Sequence, residues 1–440
     1  MGSVFDKFNK EKGEKTMKKL LSVILAICLM VSMFCSVSAD IDTVVGVKGY
    51  AHTLVKCGNF LFTATNQELL RVGVKVYEDI SGVTVELEDQ DEVVIARTGT
   101  TAYKRAVTNG NYIYALEVGT DATLRVFEKS AGNAVTAVSA SSEDYVLAGG
   151  KDGTLMVDGD YLYVAYNHSG ADGVIKKFSL TNPAAPALTA TFTAAWRDIT
   201  DMVKVGDNLY AGTAWGYNVY ADTAETTGTV APSQNNVKVT GATTVYLATD
   251  SVNGVTYIGV NKSNEASGNS VLKIVKNSTG EVLNTVSGLA ANQIADLKIV
   301  GDYLYILNGG SIYKVALSEN GAIATDVLNW KVVYDGSTKG AYGFDVDGYI
   351  LYVYCMNTFG SADNPSTLSA YRMEHNGVLT LLDTAVCSSG NAGYCRDAKF
   401  LDDGFYFIST HELKRVSVVV PEEVEDHTLT RLDDNSIEVL

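Results

Sequence analysis

The chain has 440 residues, 46% of them hydrophobic, so it is long enough to bury a large core. Its 34 basic and 51 acidic residues give a formal net charge of −17, and such a chain repels phosphate backbones, which excludes nucleic acid as a partner class. The six cysteines and five histidines show no spacing typical of a zinc site.

The first 39 residues are typical of a secretory signal peptide behind a short polar extension. Met17-Lys18-Lys19 is a positively charged start, residues 20–33 are apolar but too short to span a bilayer, and Val37-Ser38-Ala39 is a small-residue cleavage site. We expect the mature chain to begin at Asp40, with 28 basic and 48 acidic residues and no membrane span. The predicted location is secreted, extracellular or associated with the cell envelope.

Beyond this segment a short phrase returns eight times, a polar turn containing glycine followed by an aromatic-rich strand. Asp158-Gly159-Asp160-Tyr161-Leu162-Tyr163 is one copy. The glycines are 47 to 56 residues apart, at Gly58, Gly110, Gly159, Gly206, Gly254, Gly301, Gly348 and Gly404. A period near fifty with an all-β pattern predicts a β-propeller, with one four-stranded antiparallel blade per repeat. We count eight blades in residues 40–420, with seven as the alternative.

The glycine turn is expected to join the first two strands of each blade, since Asn-Gly and Asp-Gly turns adopt the positive φ that a tight hairpin needs. In the third repeat the third strand is predicted at 173–180 and the fourth at 187–192. The eighth repeat has a strand pattern at 413–419 and then meets Pro421, so its fourth strand is missing. We expect the free β-patterned segment at 41–47 to pair there, which closes the ring and removes an exposed edge.

Residues 421–440 form an acidic C-terminal tail, in which Asp433-Asp434-Asn435 is typical of a small hairpin turn. Two alternatives stay open for this tail. It supplies the rim strand of the eighth blade in place of the N-terminal segment, or it is a loose extension.

The third repeat, residues 154–192, resembles the LVIVD-type propeller repeat of secreted and surface bacterial proteins. The resemblance rests on Phe178-Ser179-Leu180 and on the Asn-Pro…Pro loop at 182–186 with the strand after it. The openings of the first strands in the fourth and sixth repeats fit as well, with Asp201 and Asp296 each five residues before its glycine. It implies a propeller fold and a secreted or surface context. It brings no particular activity with it.

Four cysteines remain after removal of the signal peptide. Cys387 and Cys395 flank a short loop, and a disulfide between them is expected in an oxidising compartment. Cys57 and Cys355 lie in strand patterns and are expected to be small buried hydrophobic residues.

Candidate ligand-binding residues lie in the loops at one end of the blades, where second strands lead to third strands and each blade leads to the next. Exposed aromatic rings with a few polar partners suit carbohydrate or peptide binding. The residues predicted to bind the ligand are Trp196, Arg197, Trp215, Tyr217, Tyr342, Phe359, Tyr394 and Arg396. The structural alternative is that Trp196 and Trp215 pack between the third and fourth blades.

The same end is expected to carry Asp201, Asp296 and Asp397 from the first strands of three blades. A ring of carboxylates can hold Ca²⁺, the one cofactor that we consider. The favoured alternative is that each aspartate caps backbone N–H groups at the start of its strand.

Enzyme motifs are absent from the sequence. It contains no G-x-S-x-G nucleophile elbow and no H-E-x-x-H metal motif, and no pair of carboxylates is singled out for glycoside hydrolysis. The sequence favours a secreted, non-enzymatic monomer that binds an extracellular polysaccharide, peptide or surface partner through its loop-rich end. The alternatives are an extracellular carbohydrate-active hydrolase or lyase with its site at the channel mouth, and a purely structural surface module.

Overall fold

The fold is described from a computed structural model of the chain. The described residues are 38–46, 51–57, 60–79, 82–97, 99–129, 135–138, 142–168, 170–193, 198–213, 216–233, 237–238, 242–250, 253–262, 271–279, 281–286, 289, 294–355, 367–374, 378–386, 397–401, 404–408, 412–419, 429–433 and 436–439. The chain forms two compact units, Asp40–Ser417 and a smaller one made of Met1–Ala39 and Val418–Leu440. The described residues are predominantly β, with two single-turn 3-10 helices at Glu143–Tyr145 and Val327–Asn329.

The first strand, β1 (Ser38–Gly46), belongs to the last of the eight sheets of four or five strands that the described residues form. The strands between residues 51 and 238 form the first four sheets in chain order. Sheet 1 contains β2 (Ala51–Cys57), β3 (Phe60–Thr65), β4 (Glu68–Asp79) and β5 (Gly82–Ala96). Sheet 2 contains β6 (Ala102–Thr108), β7 (Tyr112–Val118), β8 (Ala122–Lys129), β9 (Val135–Ala137) and β10 (Val146–Leu147). Sheet 3 contains β11 (Gly150–Asp158), β12 (Tyr161–His168), β13 (Val174–Ser179) and β14 (Ala187–Thr193). Sheet 4 contains β15 (Ile199–Val205), β16 (Asn208–Thr213), β17 (Gly216–Ala221) and, after β18 (Gly228–Val230), β19 (Val237–Lys238). β18 joins sheet 3 instead, parallel to β14.

The later strands repeat the arrangement. Sheet 5 contains β20 (Ala242–Asp250), β21 (Val255–Lys262), β22 (Val271–Lys276) and β23 (Val282–Val286). Sheet 6 contains β24 (Ile294–Val300), β25 (Tyr303–Asn308), β26 (Ser311–Ala316) and β27 (Lys331–Tyr334). Sheet 7 contains β28 (Gly343–Asp347), β29 (Ile350–Cys355), β30 (Thr367–Met373) and β31 (Leu379–Val386). Sheet 8 contains β32 (Asp397–Leu401), β33 (Gly404–Ile408) and β34 (Glu412–Val419) together with β1. A separate hairpin pairs β35 (Leu429–Asp433) with β36 (Ser436–Val439).

The repeated glycine lies in the first hairpin of its sheet, as predicted. In sheet 3 the register pairs Asp158 with Tyr161, so Gly159 and Asp160 form a two-residue turn, and the φ of Gly159 is 54°. The predicted positive φ is confirmed at Gly110, Gly159, Gly206, Gly254, Gly301 and Gly348. Gly58 lies outside the described residues, and Gly404 differs from the prediction because it is the first residue of β33, paired with Leu401, rather than a turn residue.

The antiparallel order gives each sheet two distinct ends. Hairpins between first and second strands and connections from third to fourth strands lie at one end, which we call the glycine end. Turns between second and third strands and connections between sheets lie at the other, the connection end. In sheet 3, for example, Gly159 lies at the glycine end, whereas the link from β12 to β13 lies at the connection end.

Two predictions concern the ends of the chain, that the N-terminal segment pairs with the eighth repeat and that the tail contains a hairpin turn. In sheet 8 the strand order is β1-β34-β33-β32, so β1 is hydrogen-bonded beside the strand that lacks a following partner in its own repeat. In the tail, Asp433 pairs with Ser436, which confirms the predicted hairpin turn.

The core lies between neighbouring sheets. The aromatic residue at the third position of the second strand is buried there in most sheets. Where it is a tyrosine, its hydroxyl group can donate a hydrogen bond to the next sheet. Tyr114 Oη donates to the carbonyl of Pro183 at 3.2 Å, and Tyr257 Oη donates to that of Gly321 at 2.5 Å. The aromatic phrase therefore supplies both buried apolar area and a hydrogen bond across each of these seams.

Candidate functional site

Six of the eight predicted ligand-binding residues lie outside the described residues. These are Trp196, Arg197, Trp215, Phe359, Tyr394 and Arg396. The predicted disulfide between Cys387 and Cys395 lies outside them as well. For these six residues and for the disulfide, the assignment made from the sequence stays a prediction.

Tyr217 does not lie in a loop, contrary to the sequence interpretation. Thr213 pairs directly with Gly216, so the turn between β16 and β17 is short and Tyr217 is the second residue of β17. Its side chain is fully buried in the cluster that joins sheets 4 and 5, where burial raises the pKa of its hydroxyl. A ring in this position stabilises the seam and does not present a face to a ligand.

Tyr342 is the predicted ligand-binding residue that the structure places on the surface. It lies in the connection into sheet 7, at the connection end, and is 48% exposed. Its backbone N–H donates to the carbonyl of Tyr354 at 2.8 Å, and the two rings pack with their centroids 6.3 Å apart. An exposed ring held by a strand and by a second ring loses little conformational freedom when it stacks on a ligand.

The predicted aspartates occur near the start of first strands, where most of the first hairpins carry a β-bulge. In sheet 4 the bulge lies between Ile199 and Asp201, and in sheet 6 it lies between Ile294 and Asp296. Asp201 Oδ1 accepts from Met202 N–H at 2.8 Å, and its Oδ2 accepts from the N–H of Leu247 in the next sheet at 3.1 Å. Asp201 therefore caps backbone groups within and between sheets, as the structural alternative expects.

Asp296 makes the same local contact, since its Oδ1 accepts from Leu297 N–H at 2.9 Å. Its other oxygen lies 4.0 Å from Lys298 Nζ, and that ammonium is 3.0 Å from Asp345 Oδ2. Asp345 caps Val346 N–H at 2.9 Å. The sequence interpretation missed Asp345 because it is three residues before its glycine rather than five.

Asp397 begins β32, and its side chain lies outside the described part of the chain. Among the described residues, no group of three or more His, Cys, Asp and Glu side chains is arranged to hold a metal ion. Asp201, Asp296 and Asp345 each accept a hydrogen bond from a backbone N–H group, and Asp296 and Asp345 also lie near Lys298.

Burial raises the pKa of Asp201 to about 7, against the stabilising hydrogen bonds from Met202 and Leu247. The negative charge of Asp296 raises it further. A carboxyl group that titrates near neutral pH at the inner strand makes the connection end sensitive to pH.

Cys57 and Cys355 are buried and free, which confirms the prediction made for them. Cys57 Sγ donates to the carbonyl of Gly110 at 3.1 Å, and Cys355 Sγ lies 3.4 Å from Tyr334 Oη. Burial raises the pKa of both thiols, so they stay protonated and act as small core residues.

Sheet 2 borders a cavity of about 420 Å³ that holds a buried carboxylate. Glu117 is 4% exposed, and it accepts hydrogen bonds from Thr101 Oγ1 and Arg125 Nε, each at 2.6 Å. Because Arg125 already neutralises this carboxylate, the cavity presents little unpaired charge.

A larger cavity of about 600 Å³ lies between sheets 6 and 7 at the glycine end. Its walls include Tyr303, Lys314, Lys331, Tyr349 and Met373. The sequence interpretation assigned no site to this end, since it treated the repeated phrase as scaffold alone. The visible signal was a lysine in the third strand, opposite the aromatic phrase.

The known proteins that this chain resembles are solved structures with low sequence identity to it. No protein-family model matches the chain, and no curated protein matches it. The crystal structure of Sqt1 from Chaetomium thermophilum covers 87% of this chain and 100% of its own, with a TM-score of 0.58 and 12% sequence identity. BamB from Moraxella catarrhalis covers 86% of this chain and 100% of its own, with a TM-score of 0.52 and 11% identity.

The fold is a β-propeller. A further structure of the Chaetomium Sqt1, bound to the N-terminus of the ribosomal protein L10, aligns with the propeller at a TM-score of 0.57 and 12% identity, over 86% of this chain and 100% of that one. At such identities the likeness extends to the fold and not to the ligand. Within the described residues of the propeller chain, no helix is long and apolar enough to cross a membrane.

Proposed function

We propose that this chain is a secreted, non-enzymatic β-propeller that binds an extracellular polysaccharide, peptide or surface partner at its connection end. The observation that supports this most is Tyr342, which is nearly half exposed and packs against Tyr354 at the end where the sheets are connected. We propose that the other residues predicted for that end from the sequence take part in the same binding, namely Trp196, Arg197, Trp215, Phe359, Tyr394 and Arg396. Secretion rests on the signal peptide predicted at residues 1–39.

We further propose that sheets 1 to 8 are eight blades, and that residues 40–420 form one ring closed by the N-terminal strand. The pairing of β1 with β34 supports the closure, because it supplies the fourth strand that the eighth repeat lacks. The protein acts as a monomer in this proposal, and residues 421–440 are an acidic C-terminal tail.

Binding is favoured over catalysis by the state of the inner carboxylates. Asp201, Asp296 and Asp345 each spend an oxygen on a backbone N–H, and Lys298 lies between the last two. A glycoside hydrolase needs one carboxyl group as an acid and a second, opposing one as a base or nucleophile. These carboxylates cap backbone groups and contact a lysine, so they suit a structural role better than the acid and base roles of that reaction.

A glycan array tests the carbohydrate version of the proposal. Wild type and Trp215→Ala are compared, with Tyr342→Ala as a second variant and Leu381→Ala, an exposed side chain on the outer strand of sheet 7, as the control. We expect wild type and Leu381→Ala to bind the same glycans, and both aromatic variants to bind at least about tenfold more weakly. Equal, negligible signals from wild type and Trp215→Ala contradict carbohydrate binding, and cleavage of an arrayed glycan favours the hydrolase or lyase alternative.

A further inference from the structure

Two lysines occupy equivalent positions in sheets 3 and 6. Lys177 in β13 lies opposite Tyr163 of β12, and Lys314 in β26 lies opposite Tyr305 of β25. Tyr163 and Tyr305 each lie four residues after the glycine of their phrase, and each lysine is the cross-strand partner of that tyrosine, so the two lysines occupy the same position of the propeller repeat.

Each lysine also lies over the tyrosine that begins the second strand of its sheet. The Nζ of Lys177 is 4.0 Å from the ring centroid of Tyr161, and the Nζ of Lys314 is 3.7 Å from that of Tyr303. The two ammonium groups therefore have the same aromatic surroundings, and any difference between them comes from the neighbouring sheet.

In sheet 3 the neighbouring sheet supplies a carboxylate. Lys177 Nζ is 2.7 Å from Asp222 Oδ1, and the side chains are 1% and 0% exposed. Tyr163 Oη donates to Asp222 Oδ2 at 2.6 Å, and Lys177 also donates to the carbonyl of Thr223 at 2.7 Å. Lys204 Nζ lies 3.8 Å from Asp222 Oδ2 as well, so the buried carboxylate at this seam is a counter-charge for two lysines.

In sheet 7 a methionine occupies the position of that carboxylate. The N–H of Asp222 donates to the carbonyl of Asp207, just before β16, and the N–H of Met373 donates to the carbonyl of Tyr349, just before β29, each at 2.8 Å. The hydroxyl of Tyr305 points to Met373 Sδ at 4.0 Å. The thioether carries no charge, so the equivalent seam lacks its anion.

Lys314 makes no ion pair within the described part of the chain. The Glu374 carboxylate also lines the cavity between sheets 6 and 7, and its charge is paired with Arg372: its Oε1 is 2.7 Å from Arg372 Nη2 and accepts from Thr380 Oγ1 at 2.8 Å. Partial burial and the positive charge of Lys331 lower the pKa of Lys314. Two neighbouring cations thus face the cavity of about 600 Å³ in a chain whose net charge is strongly negative.

The remaining walls of this cavity, which we call the lysine groove, suit a flat ligand with hydroxyl groups. Tyr303 and Tyr349 are 38% and 41% exposed and offer ring faces, and the exposed Asn329 offers an amide. The loop before β27 is pinned by Trp330, which is buried and donates through Nε1 to the carbonyl of Ala324 at 2.6 Å. A groove with two exposed rings, an amide and two ammonium groups that form no ion pair among the described residues suits an acidic sugar.

We propose that the lysine groove binds a uronic acid residue of an acidic polysaccharide, whose carboxylate takes beside Lys314 the position that the Asp222 carboxylate takes beside Lys177. The sugar ring lies against Tyr303 and Tyr349. This site is at the glycine end, so it is separate from the connection-end surface and goes beyond the function proposed for that surface. A glutamate side chain of a peptide carries the same charge but has no ring to stack, which makes it the competing ligand in the test.

The test measures binding of trigalacturonate to the full chain by titration calorimetry, with the uncharged methyl ester and pentaglutamate as comparison ligands. Two variants address the site: Lys314→Met removes the cation, and Met373→Asp supplies the anion that Asp222 supplies at the other seam. Met373→Leu is the matched control, because it alters the same side chain without adding charge. Circular dichroism and thermal melting establish that each variant is folded.

We expect trigalacturonate to bind wild type and Met373→Leu alike, and to bind Lys314→Met and Met373→Asp at least about tenfold more weakly, with a similar loss for the methyl ester on wild type. No binding of trigalacturonate by wild type overturns the proposal. Equal binding by wild type, Lys314→Met and Met373→Asp overturns it too, and so does preference for pentaglutamate. Tyr342→Ala is expected to leave this binding unchanged, so the groove and the connection end succeed or fail independently.

Discussion

Replacing Lys177 by methionine is expected to destabilise the chain by about 3–5 kcal/mol, because it leaves a buried carboxylate without its main counter-charge. Asp222 is fully buried, and the partners that remain to it are Tyr163 Oη at 2.6 Å and Lys204 Nζ at 3.8 Å. Since Lys204 is only 11% exposed and can still approach, we place Lys177→Met near the lower end of that range.

The reverse change, Asp222→Leu, is expected to cost more. Lys177 then keeps only the carbonyl of Thr223 and the rings of Tyr161 and Tyr163, at 4.0 and 5.9 Å from its Nζ. Among the described residues Asp222 is the one carboxylate within ion-pair distance of Lys177. Replacing both residues together by Met and Leu removes the buried charges as a pair and is expected to be close to neutral.

The assay is urea denaturation at pH 7, followed by circular dichroism, and Lys314→Met is the matched control. Lys314 occupies the same repeat position without a carboxylate, so its loss removes a partly exposed cation–π contact worth about 1 kcal/mol or less. Equal losses of stability for Lys177→Met and Lys314→Met refute the reasoning, because the buried pair then contributes nothing that the aromatic surroundings do not.

Three other perturbations test separate parts of the fold. The pKa of Asp201 is raised to about 7, so the folded state binds a proton that the unfolded state has lost, and stability falls as pH rises from about 4 to about 7. In urea titrations wild type should lose about 1–2 kcal/mol of unfolding free energy relative to Asp201→Asn between pH 5 and pH 8. Parallel pH profiles of the two proteins contradict this. Gly159 has a φ of 54° with none of the described atoms within 4 Å of an added Cβ, so Gly159→Val should cost about 1–2 kcal/mol from backbone strain alone; Gly159→Asn should cost less, and equal costs argue against strain. Deleting residues 40–48 removes most of β1 and exposes the edge of β34, so the melting temperature should fall markedly, whereas an unchanged melting temperature refutes closure by this strand.

The architecture was predictable because each repeat contains the residues that form its first hairpin. The glycine turn and the aromatic strand after it are local features, so the period could be read without knowledge of distant contacts, and the strand predicted at 187–192 appears as Ala187–Thr193. The fourth strand of sheet 8 was also predictable, since Pro421 ends the last repeat and an unpaired strand pattern was left at the N-terminus.

The placement of functional side chains was less predictable, because it depends on how long a turn is. Tyr217 was assigned to a loop, but the turn after β16 is short and the ring is buried in the seam. The third-strand lysine was visible in the sequence, but the lysine groove could not be inferred from it, since the Lys177–Asp222 pair that gives it meaning joins residues 45 positions apart on different sheets. Only the three-dimensional equivalence of Asp222 and Met373 reveals that Lys314 lacks the same partner.

The proposal that this propeller binds extracellular ligands is tested most directly by one array that carries neutral glycans, acidic glycans and peptides, probed with wild type, Trp215→Ala and Lys314→Met. The account predicts that wild type binds, that Trp215→Ala loses the ligand of the connection end, and that Lys314→Met loses acidic glycans alone. A wild-type protein that binds nothing on the array, or three proteins that bind identically, contradicts it.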